Sequence, residues 1–258
     1  MAIKMMVSVQ KGGTGKTTST AILAELLANA GSKVLVMDLD SQGNATQMLT
    51  QKSIYDFTDH TILEAIKEAN PKKYLYQAKE NLYVLPAEDM LSTFSRYIYR
   101  AKYPNPLTVL KEAIAEIEDE FDIILMDCPP NLGDIVLNAV VYADYVIIPV
   151  QLDAFGIDAL DRYIQFVEEA RNEGHTQAQI LGILFTMVDN RVVTEKVIAD
   201  SIRRTYGDKV FKAEIKKRAK MKEFALMGVT MKRKTDLDAL LEYQRLAEEV
   251  IERVQQSE

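Results

Sequence analysis

Residues 11 to 18 read Lys11-Gly12-Gly13-Thr14-Gly15-Lys16-Thr17-Thr18 (KGGTGKTT), between the apolar run Ile3 to Val9 and the Ala-, Leu- and Glu-rich segment Thr17 to Ala30. The first flank has the composition of a buried strand and the second that of a helix, with Gly31 supplying its stop. A glycine-rich turn joining a strand to a helix is suited to hold phosphate. Its backbone N–H groups can turn inward, and the helix N-terminus adds partial positive charge. Against the pattern G-x-x-x-x-G-K-[ST], the first glycine position holds Gln10, so Gly12, Gly13 and Gly15 must supply the freedom of the turn. In this pattern Lys16 reaches the β- and γ-phosphates of a nucleotide and the Thr17 hydroxyl binds Mg²⁺. Lys11 is an additional cation. It would crowd Lys16 if both approached one phosphate from the same side, so we expect it to act across an interface.

Outward from the loop, apolar runs alternate with helical stretches. Further strands are expected at Lys33 to Met37, Leu82 to Leu85, Asp122 to Met126, Tyr145 to Val150 and Ile180 to Thr186. Helices are expected at Thr61 to Ala69 (capped by Thr61 with Glu64), Leu107 to Glu120, after Gly133, and at Ile157 to Asn172. Beyond Thr186 helices are expected to dominate: about Thr194 to Tyr206, about Lys220 to Met227, and Asp236 to the end. Continuous apolar strands alternating with helices predict an α/β fold of the doubly wound, P-loop NTPase type, with a mostly parallel sheet and helices on both faces. No linker divides the chain, so residues 1–258 are expected to form a single domain. The irregular segment from about 50 to 106 holds seven of the twelve tyrosines, either half-buried rings or a partner surface.

Two acidic motifs follow apolar strands. Asp38 and Asp40 come just after one, and Asp127 just after another, at the edge where open α/β sheets bind ligands. That position suits Asp127 to hold Mg²⁺ through water. The plain alternative for each is a loop carboxylate capping a helix.

The loop pattern K-G-G-x-G-K-T-T is similar to the deviant Walker A motif of the ParA/MinD ATPases. The chain resembles in particular the ParA (Soj-like) DNA-partition ATPases that lack an N-terminal helix-turn-helix domain, since the loop begins within the first dozen residues. Asp38-Leu39-Asp40-Ser41-Gln42-Gly43-Asn44 resembles the D-x-D-x-Q-G-N of that family, and Asp127-Cys128-Pro129-Pro130-Asn131-Leu132-Gly133 its D-x-P-P-x-L-G. Ile148 to Gln151 and Thr186-Met187 also fall where the family has such residues. The resemblance implies ATP and Mg²⁺ as ligands, with residues Lys11 to Thr18 around the nucleotide. It gives Asp40 the task of orienting or activating the attacking water and a place beside Thr17 and Asp127 among the magnesium residues, and makes Asp38 a weaker candidate for the magnesium shell. Lys11 would reach the phosphates of the other subunit in an ATP-bound homodimer. The absence of an N-K-x-D guanine-reading motif also leans away from GTP.

Charge points to a partner. The net charge of −7 alone argues against nucleic acid, but residues 191–234 hold 14 Lys and Arg against 5 Asp and Glu. Such density releases counterions on meeting phosphate and gives affinity without sequence reading. A charge run is otherwise a solvated face. The resemblance implies non-specific DNA binding there, with Arg191, Lys216, Lys217, Arg218, Lys220 and Lys222 as candidates. In place of the family's I-P-R-x-x-R-L-S-E-A the chain has I-K-K-R-A-K-M-K-E-F, which keeps the charge but loosens residue-by-residue transfer. The expected cycle is dimerisation on ATP, DNA binding, and release on hydrolysis stimulated by a ParB-type centromere-binding partner. The expected location is the cytoplasm, on the nucleoid.

Other classes fit less well. A MinD-like membrane-positioning ATPase is the alternative, but residues 236–258 carry 7 acidic residues against 2 arginines, where an anionic bilayer favours basic flanks. The apolar stripe there (Leu237, Leu240, Leu241, Ala247, Val250, Ile251, Val254) is expected to pack on the sheet. The single cysteine, Cys128, excludes an internal disulfide and cannot supply the two cluster ligands of a nitrogenase-type iron protein. His60 and His175 lack ligand spacing.

Overall fold

Strands β2 (Val34–Asp38) and β5 (Ile123–Asp127) are buried at every position. A strand with no solvated face must be covered on both sides, and it carries its apolar run unbroken for that reason. In the computed structural model, which describes residues 1–257, these two strands sit inside an eight-stranded sheet of order β3-β4-β2-β5-β1-β6-β7-β8. The others are β1 (Ile3–Val7), β3 (Tyr76–Lys79), β4 (Leu82–Leu85), β6 (Tyr145–Gln151), β7 (Gln179–Val188) and β8 (Val210–Lys216). All pairings are parallel except β3 with β4 at one edge.

The helices are α1 (Lys16–Asn29), α2 (Asn44–Thr50), α3 (Ile62–Glu68), α4 (Phe94–Ala101), α5 (Val109–Ile114), α6 (Asp134–Tyr142), α7 (Ala154–Asn172), α8 (Val193–Tyr206), α9 (Ala219–Met227) and α10 (Lys234–Ser257). Alternate residues of a strand point to opposite faces and build two cores. Ile124 and Met126 join Ile66, Leu110, Val136 and Tyr163 under α3, α5, α6 and α7. Ile123 and Leu125 join Leu23, Leu27, Leu246 and Val250 under α1 and α10. The doubly wound, mostly parallel fold expected from the sequence is present.

Several elements depart from expectation. No strand was expected after Thr186, yet β8 closes the sheet there, between the first two helices expected in that region. Its burial alternates, with Lys212 and Lys216 outward, as an edge strand requires. The basic stretch from Ile215 to Lys222 is therefore split between the end of β8, a short connection and α9. The helix expected over Leu107 to Glu120 is α5 alone, followed by a 3₁₀ turn at Glu118–Glu120. Helices α2 and α4 were not foreseen. On α10, Leu240, Val250 and Val254 pack inward as expected, but Leu237 and Leu241 are exposed. In the tyrosine-rich segment Tyr74 is buried, Tyr83 stacks edge-on against Phe121, and the Tyr97 and Tyr103 hydroxyls lie 3.1 Å apart. Tyr55 and Tyr99 are exposed. No described helix is long and apolar enough to cross a membrane.

The β7–β8 edge is locked by Arg253 of α10. Its guanidinium stacks 4.4 Å from the Phe211 ring and donates to the Leu181 and Val210 carbonyls at 2.8 and 2.9 Å. The Phe211 ring packs against Gly182, and a Cβ there would run into it. Gly182→Ala is expected to destabilise the protein by about 1–3 kcal/mol through overpacking. Urea unfolding checks this, and nucleotide binding at the opposite end of the strands should be unchanged.

Candidate active site

Strand β1 ends at Val7 and the chain turns through the glycines into α1. The turn needs two left-handed residues, Gly13 at φ 73° and Gly15 at φ 80°, the latter at the N-cap of α1. Only glycine takes such angles without cost. A Cβ on Gly12 or Gly13 would meet nothing within 4 Å, so the loop faces open space. That space is a cavity of about 400 Å³ lined by Gly12 to Thr18, Asp40, Asn44, Gln47, Met48, Pro130, Met187 and Ala225. Met187 is held at φ 56°, a conformation uncommon outside glycine, as the chain passes the cavity. The Thr186 hydroxyl donates to the Thr14 carbonyl at 2.8 Å and fixes the loop against β7.

Two adjacent strands, β2 and β5, deliver the acids. Asp38 and Asp127 are register partners at the ends of β2 and β5, and both are fully buried. Thr17 donates to Asp127 Oδ2 at 2.7 Å, while Thr20 lies at 3.4 Å from Oδ1. Burial drives Asp127 well above the usual carboxylate range, and the charge of Asp38 adds to this. Burial likewise pushes Asp38 up to about 6, against the pull of its hydrogen bonds from Thr46. Lys16 is nearly buried and donates to the Lys11 carbonyl at 2.8 Å; burial lowers its pKa, against the attraction of Asp127.

A magnesium nucleotide fits these residues. The buried Thr14 hydroxyl has no partner among the described residues, and the Lys16 ammonium rests on a loop carbonyl. Thr17 and Asp127 face each other as a hydroxyl and a carboxylate of the kind that Mg²⁺ accepts. Asp40 is on the cavity wall, with Oδ1 accepting from Gln42 N at 3.0 Å.

Lys11 behaves differently. Its Nζ lies 2.7 Å from both carboxylate oxygens of Asp153, and the residue is absent from the cavity lining. Asp153 caps α7, accepting from Gly156 N at 2.7 Å. Burial raises the Asp153 pKa, but the bonds from Lys11 and Gly156 outweigh it and leave it below the usual range.

The basic candidates fall into two sets. Arg218 and Lys216 both reach Glu242, at 2.6 and 3.6 Å, and Lys220 pairs with buried Asp236 at 2.7 Å. These side chains tie the β8–α9 corner to α10. Arg191 pairs with its neighbour Asp189 while remaining largely exposed. Lys217 and Lys222 are exposed.

Strand, glycine loop, buried lysine and facing Thr–Asp pair define a P-loop ATPase, with the second lysine of the deviant Walker A class. A family model described as an AAA domain matches residues 3–180. The chromosome-partitioning ATPase Soj of Thermus thermophilus is 31% identical over 98% of this chain and 97% of its own length. The chain belongs to the ParA/Soj family of P-loop ATPases. Two solved structures share the fold. Apo McdA of Cyanothece aligns with a TM-score of 0.86 at 23% identity over 98% of this chain and 100% of its own. Cobyrinic acid a,c-diamide synthase of Mycobacterium smegmatis, with bound ADP and magnesium, aligns at 0.85 and 24% identity over 100% and 97%.

Sequence reasoning placed Lys16, Thr17, Asp40 and the loop glycines at one cavity, and Asp127 beside Thr17. It missed Asp153, whose cap position before α7 was legible but whose tie to Lys11 was not. It also missed Thr46, which donates to Asp38, and the acids that occupy Arg218 and Lys220.

The raised pKa values have a stability consequence. Carboxyls that bind protons more tightly when folded lose stability as pH rises from their unfolded range through the folded value, about 6 for Asp38 and higher than usual for Asp127. Asp127→Asn removes one of the two buried charges. It should raise the melting temperature of the nucleotide-free protein at pH 8 by roughly 2–4 °C, about 1 kcal/mol. The difference should shrink by pH 5, as calorimetry at the two pH values would report.

Proposed function

We propose that this chain is a DNA-partition ATPase, and that an ATP-bound homodimer is its active form. The observation that carries the reading is Lys11, held by Asp153 outside a cavity already served by Lys16. A loop cation with no place at its own phosphates is available to those of a second copy. In this reading Gly12, Gly13, Thr14, Gly15 and Thr18 hold the nucleotide with the loop backbone, and Lys16 binds the β- and γ-phosphates. Thr17 and Asp127 hold magnesium, Asp127 through water, and Asp40 orients the attacking water. Bound magnesium supplies neutralisation of charge on the phosphate oxygens. Lys11 leaves Asp153 to stabilise the charge on the other subunit's γ-phosphate, a role in which a cation supplied across an interface can add on the order of 10³-fold or more to the rate.

The closed dimer binds DNA without reading sequence, through the basic surface around β8 and α9. Lys216, Lys217, Lys222 and Arg191 are the exposed contacts, while Arg218 and Lys220 shape the surface through Glu242 and Asp236. A ParB-type centromere-binding protein stimulates hydrolysis and releases the dimer. The working location is the cytoplasm, on the nucleoid. The relative named a chromosome-partitioning ATPase supports this reading over one based on fold alone, since the same fold serves a diamide synthase.

DNA binding measured without nucleotide, with ADP, with ATP and with a non-hydrolysable ATP analogue tests the switch. Binding should occur only in the two triphosphate states and fall steeply with salt. Equal binding in all four would leave an ATPase with an unrelated basic face. The double variant K217E/K222E should weaken triphosphate-state binding by roughly tenfold or more while hydrolysis without DNA is retained.

A further inference from the structure

Asp38 is fully buried at the end of β2 and is not among the residues that line the nucleotide cavity. Its Oδ2 accepts from both the backbone N–H and the hydroxyl of Thr46, each at 2.8 Å. Its Oδ1 lies 3.2 Å from Asp40 N. One carboxylate thus holds both ends of the segment 38–46, on which Asp40 sits. Thr46, also fully buried, extends the hold: its Oγ1 accepts from Ala87 N at 2.9 Å, just beyond β4. Within the segment Leu39 N donates to the Asp127 carbonyl at 2.8 Å and Gly43 N to the Asp40 carbonyl at 2.9 Å. The Asp40 backbone is therefore tied to β2, β4 and β5 together.

We infer that Asp38 and Thr46 are a positioning pair for the hydrolytic step and not part of the magnesium shell. The inference rests on the reading of Asp40 as the residue that orients water. The pair works by fixing the backbone that carries Asp40, because a misplacement of about 1 Å in a reacting geometry can cost on the order of a hundredfold in rate. Thr46 is suited to the task in a way that Val is not. Its hydroxyl donates to Asp38 and accepts from Ala87 at once, and an isosteric methyl does neither.

The test uses the full chain with Mg²⁺ and ATP. Turnover is compared with equilibrium binding of a non-hydrolysable ATP analogue for Thr46→Val, Thr46→Ser, Asp38→Asn and Asp40→Ala. Thermal melting verifies that each variant is folded. Thr46→Val should lose ten- to a hundredfold in kcat with analogue affinity within about twofold of wild type, and Thr46→Ser should restore kcat to within about threefold. Asp38→Asn should lose kcat without any change in the Mg²⁺ concentration needed for half-maximal turnover. Should Asp38→Asn be unfolded, the Thr46 pair decides the matter alone. Near-normal turnover in Thr46→Val beside an inactive Asp40→Ala would overturn the positioning role and leave Asp40 standing. Normal turnover in Asp40→Ala would overturn both. A tenfold rise in the Mg²⁺ requirement of Asp38→Asn would place that carboxylate in the magnesium shell, against the inference. Parallel loss of turnover and analogue affinity in Thr46→Val, not restored by serine, would show general damage and also overturn it.

Discussion

Two carboxylates end adjacent strands of a parallel sheet, side by side and out of contact with water. Burying one charged group is costly, and burying two of like sign is more so. Asp38 and Asp127 are tolerated because donors meet them, Thr46 and the Asp40 N–H at Asp38 and Thr17 at Asp127, and because the charge of Lys16 favours the Asp127 carboxylate. The phosphate loop, the segment carrying Asp40 and the start of α1 are all held by these contacts. The arrangement gives up stability in the nucleotide-free protein for a site already shaped to receive a cation and phosphates.

The second cation follows a different logic. The Lys11–Asp153 pair is partly open to solvent, with side-chain exposures of 20% and 48%. Ion pairs of this kind contribute about 0–1 kcal/mol, so the lysine is readily released to a stronger partner. A phosphate in the facing loop of a second copy is such a partner in the proposed dimer. The basic surface is built with firmer ties. Glu242 and Asp236 are nearly buried, and the cations they hold fix the β8–α9 corner on α10 while Lys217 and Lys222 stay exposed.

The parts of the fold legible in the sequence are those written in unbroken apolar runs. KVLVM and DIILM announce buried parallel strands, and the acid after each announces the edge where ligands bind. Strand β8 escaped notice because VFKAEIK is no unbroken apolar run: it alternates apolar with charged residues within a lysine-rich region. Helix α2 escaped because it is seven residues long and starts from a left-handed glycine with no side-chain cap. The loop chemistry was legible because its spacing is local. The Lys11–Asp153 and Asp38–Thr46 ties join residues brought together by folding, across 142 and 8 positions, and no periodicity marks them.

In the proposed dimer a working hydrolytic site is shared between two copies, with Lys16 from one and Lys11 from the other. Mixing two inactive variants tests it most directly. Lys11→Ala keeps its own Lys16, and Lys16→Gln keeps a Lys11 to lend. Each should be nearly inactive alone, and an equimolar mixture should recover ATP hydrolysis that rises with protein concentration. A mixture no more active than its separate components, under conditions where mixed dimers are shown to form, would contradict the account.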